Sequence, residues 1–521
     1  MANEKELVRP QVNPWIIAIA VMLSTFMEVL DTTVVNVSLP HIAGSMSASV
    51  DEATWTLTSY LVANAIILPI TGWLSNHFGR KRILMISVTG FTVASFLCGL
   101  APNLPALVFF RIVQGACGGG LQPISQAVLL ESFPPEDRGK AMGFWGLGIV
   151  VAPMLGPVLG GWLTDSYSWR WVFYINIPVG VLALIMTQLF VFDPHYIRRT
   201  TSRVDYWGIG MLAVGIGALQ IILDKGQEKD WFSSNLITRL AVISAVALIA
   251  FIIYELVVAH PVVDLRVFKE RTYSAGVFLM TTLGFVLYGS LVILPIFLQT
   301  ILGYPALQAG VAMFPRGLGS FIAMPFVGAI MSRFDPRKLL VFGLTACSIS
   351  LVMLGSLNLN VGYWEIASAQ FLQGLSLGFL FVPLTTVTMD PIPNEKMGNA
   401  TSIFNLMRNI GGSMGIALST TIVARSEQAY TNFLGRNVTP YSLQTQTMFE
   451  NLRNFFMASG ADAVTASQRA YAALFGMVQR QAAMLSFNHT YLFLAILFVL
   501  VIPAILLMRR PKTRGGGVAA H

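Results

Sequence analysis

Charge is what this sequence most lacks. Only 11% of its 521 residues are Asp, Glu, Lys or Arg, where a soluble globular chain carries roughly 25%. A string of water-soluble domains is excluded, because the polar surface to cover them is missing. Cysteine is scarce too: Cys98, Cys117 and Cys347 sit in apolar runs, at neither pairing nor ligand spacing. They read as small buried hydrophobes, so no disulfide framework, metal centre or other cofactor is expected. The six histidines form no HExxH or similar pair. Nor is a cleavable signal expected, since Met1 to Pro10 is polar and the apolar run after it is too long. What abounds is apolar: 55% hydrophobic residues and a mean hydropathy of +0.67.

A helix of about 20 apolar residues crosses the roughly 30 Å hydrocarbon layer. Runs of that kind lie near 15–38, 54–74, 83–100, 104–128, 141–164, 170–191, 206–223, 237–257, 273–297, 306–331, 339–357, 363–389, 398–424 and 490–508. An even number of spans, fourteen, puts both termini on one side. About 21 of the 33 Lys and Arg residues fall in the termini and alternate loops, among them Lys5, Arg9, Arg80, Lys81, Arg82, Arg198, Arg199, Arg203, Arg510, Lys512 and Arg514. By the positive-inside rule that side is the cytoplasm. The net charge of +8 is therefore sorted by membrane side and does not mark a nucleic-acid partner. One external segment stands apart, 425–489. Within it, 467–486 has a helical period with Tyr471, Leu474, Phe475, Val478 and Ala482 on one stripe. Either this helix covers the molecule's own outer face, or it is a docking surface for a partner outside the membrane.

Two stretches recur about 258 residues apart. The loop Phe133 to Gly139 returns as Pro391 to Gly398, and Phe110 to Gly115 returns as Gln370 to Gly374; a weaker echo links Gly72 to Arg82 with Gly328 to Lys338. The expected architecture is an all-α polytopic membrane protein with two pseudo-symmetric six-helix halves, 1–192 and 261–521, separated by two inserted helices within 193–260. Such parallel halves suit a rocker that opens alternately to each side.

Charges inside a bilayer each cost roughly 3 kcal/mol or more and so need a reason. The first span carries Glu28 and Asp31, one helical face extended by Thr25, Thr32 and Asn36; the fourth carries Arg111. At about 1.5 Å per residue the acids and the arginine reach one layer. A carboxylate balanced between a nearby guanidinium and a dry cavity gains and loses a proton as water access alternates. The competing reading is a permanent salt bridge pinning two helices. A fixed pair needs no second acid, which favours proton coupling. Arg316 and Arg408, mid-span in the tenth and thirteenth helices, either stabilise anionic substrates or cap backbone carbonyls. In the fifth span, Gly148, Ala152, Gly156 and Gly160 recur at four-residue spacing around Pro153 and Pro157 and end in GPxxGG. Small residues so spaced let helices approach closely, and the prolines bend the axis.

These residues resemble the major facilitator superfamily, and within it the fourteen-span drug:proton antiporters of the EmrB/QacA type. The matches are Leu30 to Pro40, Gly72 to Arg82, Arg111 to Gly115, Gly148 to Gly161 and Trp169 to Pro178. Leu223-Asp224-Lys225-Gly226, Asp230 to Ser234 and the long last external loop resemble the EmrB branch. The resemblance implies export of hydrophobic toxic compounds across a bacterial inner membrane in exchange for protons. It also implies an EmrA-like periplasmic adaptor and a TolC-like outer-membrane channel. Asp31 would carry the proton, with Arg111 as its partner. Around Gly72, Gly79 and Arg80 the chain departs from the family's loop motif: Asn76 stands for an acid and His77 for a base, so no charge latch is expected there. Glu28 also lies outside the usual first-helix signature; it shares the proton or meets a cationic substrate.

The expected cycle is alternating access around a cavity between spans 1, 4, 9 and 12. Its candidate residues are Phe26, Asn36, Gln114, Phe285, Tyr288, Phe371, Gln373, Phe379 and Arg408. Apolar walls bind by burial, about 25 cal/mol per Å², and tolerate many shapes. The runner-up is transport of one metabolite, of siderophore or amino-acid type. An enzyme would need a nucleophile–base or metal constellation that the sequence does not display, and a scaffold would leave the buried charges unexplained.

Overall fold

The computed structural model describes residues 13–193, 205–258, 261–331 and 333–509, and among them no strand occurs. The basic residues Lys5, Arg9, Arg198, Arg199, Arg203, Arg510, Lys512 and Arg514 lie outside the described residues. Fifteen principal helices follow the chain. The first half holds α1 (Pro14–Ser45), α2 (Trp55–Phe78), α3 (Arg80–Leu100), α4 (Leu104–Ser132), α5 (Arg138–Ser166) and α6 (Trp171–Phe190). Then come α7 (Tyr206–Lys225) and α8 (Asn235–Val257). The second half holds α9 (Arg271–Ile301), α10 (Ala306–Ile330), α11 (Pro336–Leu354), α12 (Tyr363–Met389), α13 (Met397–Gly435), α14 (Leu443–Ala458) and α15 (Ala463–Leu507). Local chemistry sets several starts. Asn13, Asn103 and Asp335 accept backbone N–H bonds at the beginnings of α1, α4 and α11, each just before a proline in the first turn.

Thirteen of these helices are long and apolar enough to cross a membrane. The expected thirteenth span, α13, is not apolar enough, because its first half buries Asn399, Thr401, Ser402, Asn405 and Arg408. A helix enclosed by protein need not offer lipid an apolar face. The segment 425–489 also differs from expectation. Instead of a separate amphipathic helix and a last span, α15 is continuous over 39 residues from Ala463 to Val501. At about 1.5 Å per residue that is about 58 Å, roughly twice the hydrocarbon thickness. No proline interrupts it. Its stripe does not cover the molecule's own face throughout: Tyr471 and Phe475 are 64% and 56% exposed, while Ala482 is buried. Tyr471 packs on Phe449 of α14, ring centroids 4.5 Å apart.

Glycines set the close crossings. On α5, Gly148 faces Met22, Gly156 faces Thr33 and Gly160 meets the Val34 carbonyl, all on α1. At the face carrying the basic loops, Gly72 of α2 lies on the backbone of Gly398 and Asn399 in α13. Gly143 of α5 meets the Met324 carbonyl, and Gly328 of α10 meets that of Gly139. Polar bonds reinforce this seam: Asn405 donates to Gln126 at 2.6 Å and Thr401 to the Pro123 carbonyl at 3.1 Å. The two halves are shut together at the basic face. Near the opposite face the inserted α7 touches both: Lys225 donates to Thr54 at 2.6 Å, and Gln220 to Ser413 at 2.9 Å.

Candidate functional site

Helical spacing puts Glu28 and Asp31 on adjoining parts of one face of α1, yet they enter different environments. Asp31 is fully buried inside the first half. Its Oδ2 accepts from Arg111 Nη1 at 2.5 Å, and its Oδ1 accepts from Gln114 at 3.0 Å and Asn176 at 2.7 Å. Arg111, also fully buried, donates through Nε to the Thr56 carbonyl at 3.0 Å and through Nη1 to Gln114 at 2.8 Å. Its guanidinium lies 4.2 Å from the centroid of the Tyr60 ring and 5.7 Å from that of Phe173. Asn176 also reaches Ser95 at 3.0 Å, and Ser95 donates to the Phe173 carbonyl at 2.8 Å. This is a charged pair inside a ring of neutral donors and aromatic faces.

Glu28 points to the seam instead. One oxygen accepts from Asn64 at 2.9 Å. Arg408, of the other half, lies within electrostatic reach and donates to Gln122 of α4. The sequence therefore anticipates the meeting of Asp31 and Arg111, while Gln114, expected in the cargo cavity, is instead fully buried on that pair, and Asn64, Gln122, Tyr60, Ser95 and Asn176 join only in the fold. Asn176 sits inside the Trp169 to Pro178 motif and was the most legible of these. Neutral polar residues in apolar runs give no other sequence signal.

The remaining candidates do not form one cluster. Gln373 donates to Ser290 at 3.3 Å within the second half. Phe26 is half-buried against the cluster holding Leu30, Val34 and Ala152. Phe285 and Tyr288 lie where Gly415 and Gly412 of α13 press on α9. Asn36 is exposed towards one end of α1, and Phe371 is 38% exposed. Phe379 is a correction: it wedges between Phe342 and Phe326, at 4.7 and 6.3 Å between centroids, and those rings are 49% and 55% exposed. It packs α10, α11 and α12 together rather than lining a space between the halves, because an aromatic run on one helix turns through every side.

At the basic face, Gly79 has φ +93°, a left-handed conformation that suits glycine, with Asp193 where a side chain would start. Arg80 pairs with Glu131 inside the first half and reaches the Asn394 carbonyl of the other half at 3.3 Å; Asn76 reaches the Glu395 carbonyl at 3.4 Å. Both contacts across the seam go to backbone carbonyls, which an uncharged Asn76 reaches as a donor. His77 stacks on Trp73, centroids 5.0 Å apart.

The Major Facilitator Superfamily profile matches residues 21–416. The chain belongs to that superfamily. Among its relatives, the multidrug export protein EmrB of Haemophilus influenzae is 40% identical over 84% of this chain and 86% of its own. EmrB of Escherichia coli is 36% identical over 96% of both chains, and the fatty acid resistance protein FarB of Neisseria gonorrhoeae is 36% identical over 96% and 97%. A xylose transporter variant, XylE with two introduced tryptophans, shares the superfamily fold at a TM-score of 0.62 and 15% identity, covering 96% of this chain and 97% of that one. In the superfamily's terms, α1 to α6 and α9 to α13 with α15 are the two six-helix halves, and α7 and α8 the inserted pair.

Proposed function

We propose that this superfamily member is a proton-driven multidrug exporter of the bacterial inner membrane, with the basic face and both termini in the cytoplasm. The observation that carries the reading is the fully buried pair of Arg111 on α4 with Asp31 on α1, the helix that α5 packs with its glycines. The names of its relatives support export of toxic amphiphiles. In this conformation Asp31 is closed to water, so exchange requires the halves to part and re-form. Protonation of Asp31 from outside releases the Arg111 guanidinium to its neutral neighbours Gln114 and the Thr56 carbonyl. Loss of that proton to the cytoplasm restores the pair. Each charge moving down the membrane potential supplies roughly 2.3 kcal/mol per 100 mV. Cargo occupies the space that opens between the halves, near Glu28, Gln122 and Arg408, so Glu28 meets the cargo side while Asp31 stays with the proton.

The outer hairpin, with Phe455 and Tyr471 both 64% exposed, is read as the docking surface for an EmrA-like adaptor leading to a TolC-like channel. Purified protein in vesicles with an imposed pH gradient tests the central reading. Asp31→Asn should retain cargo binding and lose uphill export. Unchanged export by that variant would exclude Asp31 as the coupling residue. Pull-down with and without 425–489 tests the adaptor; equal recovery would remove the hairpin from that role.

A further inference from the structure

The internal repeat sets two polar cores in register, and the export cycle uses one of them. Asp31, Arg111, Gln114 and Gly115 stand 259 residues before Ser290, Gln370, Gln373 and Gly374. The geometry follows the numbering: Gln114 donates to Asp31 at 3.0 Å, and Gln373 donates to Ser290 at 3.3 Å. Gly115 rests on the Tyr60 carbonyl of α2, and Gly374 rests on the Arg316 carbonyl of α10. Arg316 therefore occupies the place of Tyr60, and a hydroxyl replaces the carboxylate.

Arg316 is 6% exposed, and among the described residues no carboxylate pairs with it. Its Nη2 donates to the Leu287 carbonyl at a long 3.5 Å, and its Nη1 has no partner. Capping that carbonyl does not explain the arginine, because Leu287 already accepts the Ser290 hydroxyl at 3.0 Å. Tyr491 and Cys347 lie within its electrostatic reach. The Tyr491 hydroxyl, also buried, is unpartnered too. A guanidinium held in a membrane core without an opposite charge is costly and calls for an anion.

We infer that this buried polar cluster of the second half binds the carboxylate of an amphipathic organic acid. The guanidinium fork takes the two carboxylate oxygens, as arginine does throughout proteins, and the Tyr491 hydroxyl adds a donor. The inference rests on the export reading only in treating that acid as cargo.

The test uses the full purified chain in detergent, titrated with octanoate, 1-octanol or sodium chloride while Tm is followed. Octanoate should raise Tm by several degrees and saturate, as a ligand of the folded state does; 1-octanol and chloride should not. Arg316→Met should fold at an unchanged or higher Tm without ligand and lose the octanoate response. Ser290→Asp, which supplies an internal carboxylate one turn from Leu287, should lose it while keeping Arg316. Equal octanoate protection in both variants would overturn the site. Equal protection of the natural chain by chloride would overturn the carboxylate assignment. If Arg316→Met does not fold, Ser290→Asp decides alone. Export of an uncharged dye by Arg316→Met vesicles is a separate arm: its absence in the natural protein too would fell the export reading and leave the binding result standing.

Discussion

In the first half the buried guanidinium, Arg111 on α4, meets the Asp31 carboxylate of α1 at 2.5 Å. In the second half Arg316 on α10 is a guanidinium buried without a carboxylate partner among the described residues, and the position matching Asp31 is Ser290. The frame around them is the same: a glutamine reaching towards the first helix of its half, and a glycine seated on a carbonyl of the second. Duplication has kept the contacts that need shape and redistributed those that need charge. In the cycle proposed above, the half with the paired acid handles the proton and the half with the unpaired base takes the anion.

The sharpest way to break this contrast is to make the first half resemble the second. Asp31→Asn alone leaves Arg111 buried without its counter-charge and should cost about 3–5 kcal/mol, with uphill export falling to background. Adding Arg111→Gln should recover most of the lost Tm, read in detergent, while export stays lost. A double variant as unstable as the single would show that the pair is structural.

Next in size are the glycines of α5. Gly156→Ala and Gly160→Ala push a methyl into Thr33 and the Val34 carbonyl, for a loss of about 1–3 kcal/mol each and slower export. Gly161→Ala meets nothing within 4 Å and should stay within about 0.5 kcal/mol of the parent. At the seam, Asn405→Ala removes the bond to Gln126, worth about 1 kcal/mol. It should increase labelling of cysteines placed at the basic face.

The smallest effect lies outside the membrane. The Thr465 hydroxyl and the backbone N–H groups of Thr465 and Val464 hold the Asp462 carboxyl below the usual range. A lowered value in the folded chain means its stabilisation of the start of α15 is complete above the unfolded value of about 3.9 and fades as pH falls through the folded one. Hydrogen-exchange protection at 463–470, corrected for intrinsic rates, should hold from neutral pH to about 5 and fall below about 4. Asp462→Asn should flatten that dependence.

The spacing of Glu28, Asp31, Asn36 and Arg111, the glycine ladder of α5 and the echoed loops were all readable along the chain, because helical period and bilayer thickness convert residue number into depth and face. That is why Asp31 and Arg111 meet where counting placed them. Apolar runs gave fourteen spans, and thirteen of them are helices apolar enough to cross a membrane; the run at 398–424, α13, falls short of that, since its polar face is hidden by neighbours that no local window contains. The separation of Glu28 from Asp31 was decided only by packing. Three residues along a helix turn a side chain through most of a revolution, and whether it then meets Asn176 or Asn64 depends on which helices lie alongside. The same holds for Phe379, which turns to its own half, and for Arg316, whose isolation shows only when every helix that could have brought it a carboxylate has been packed around it.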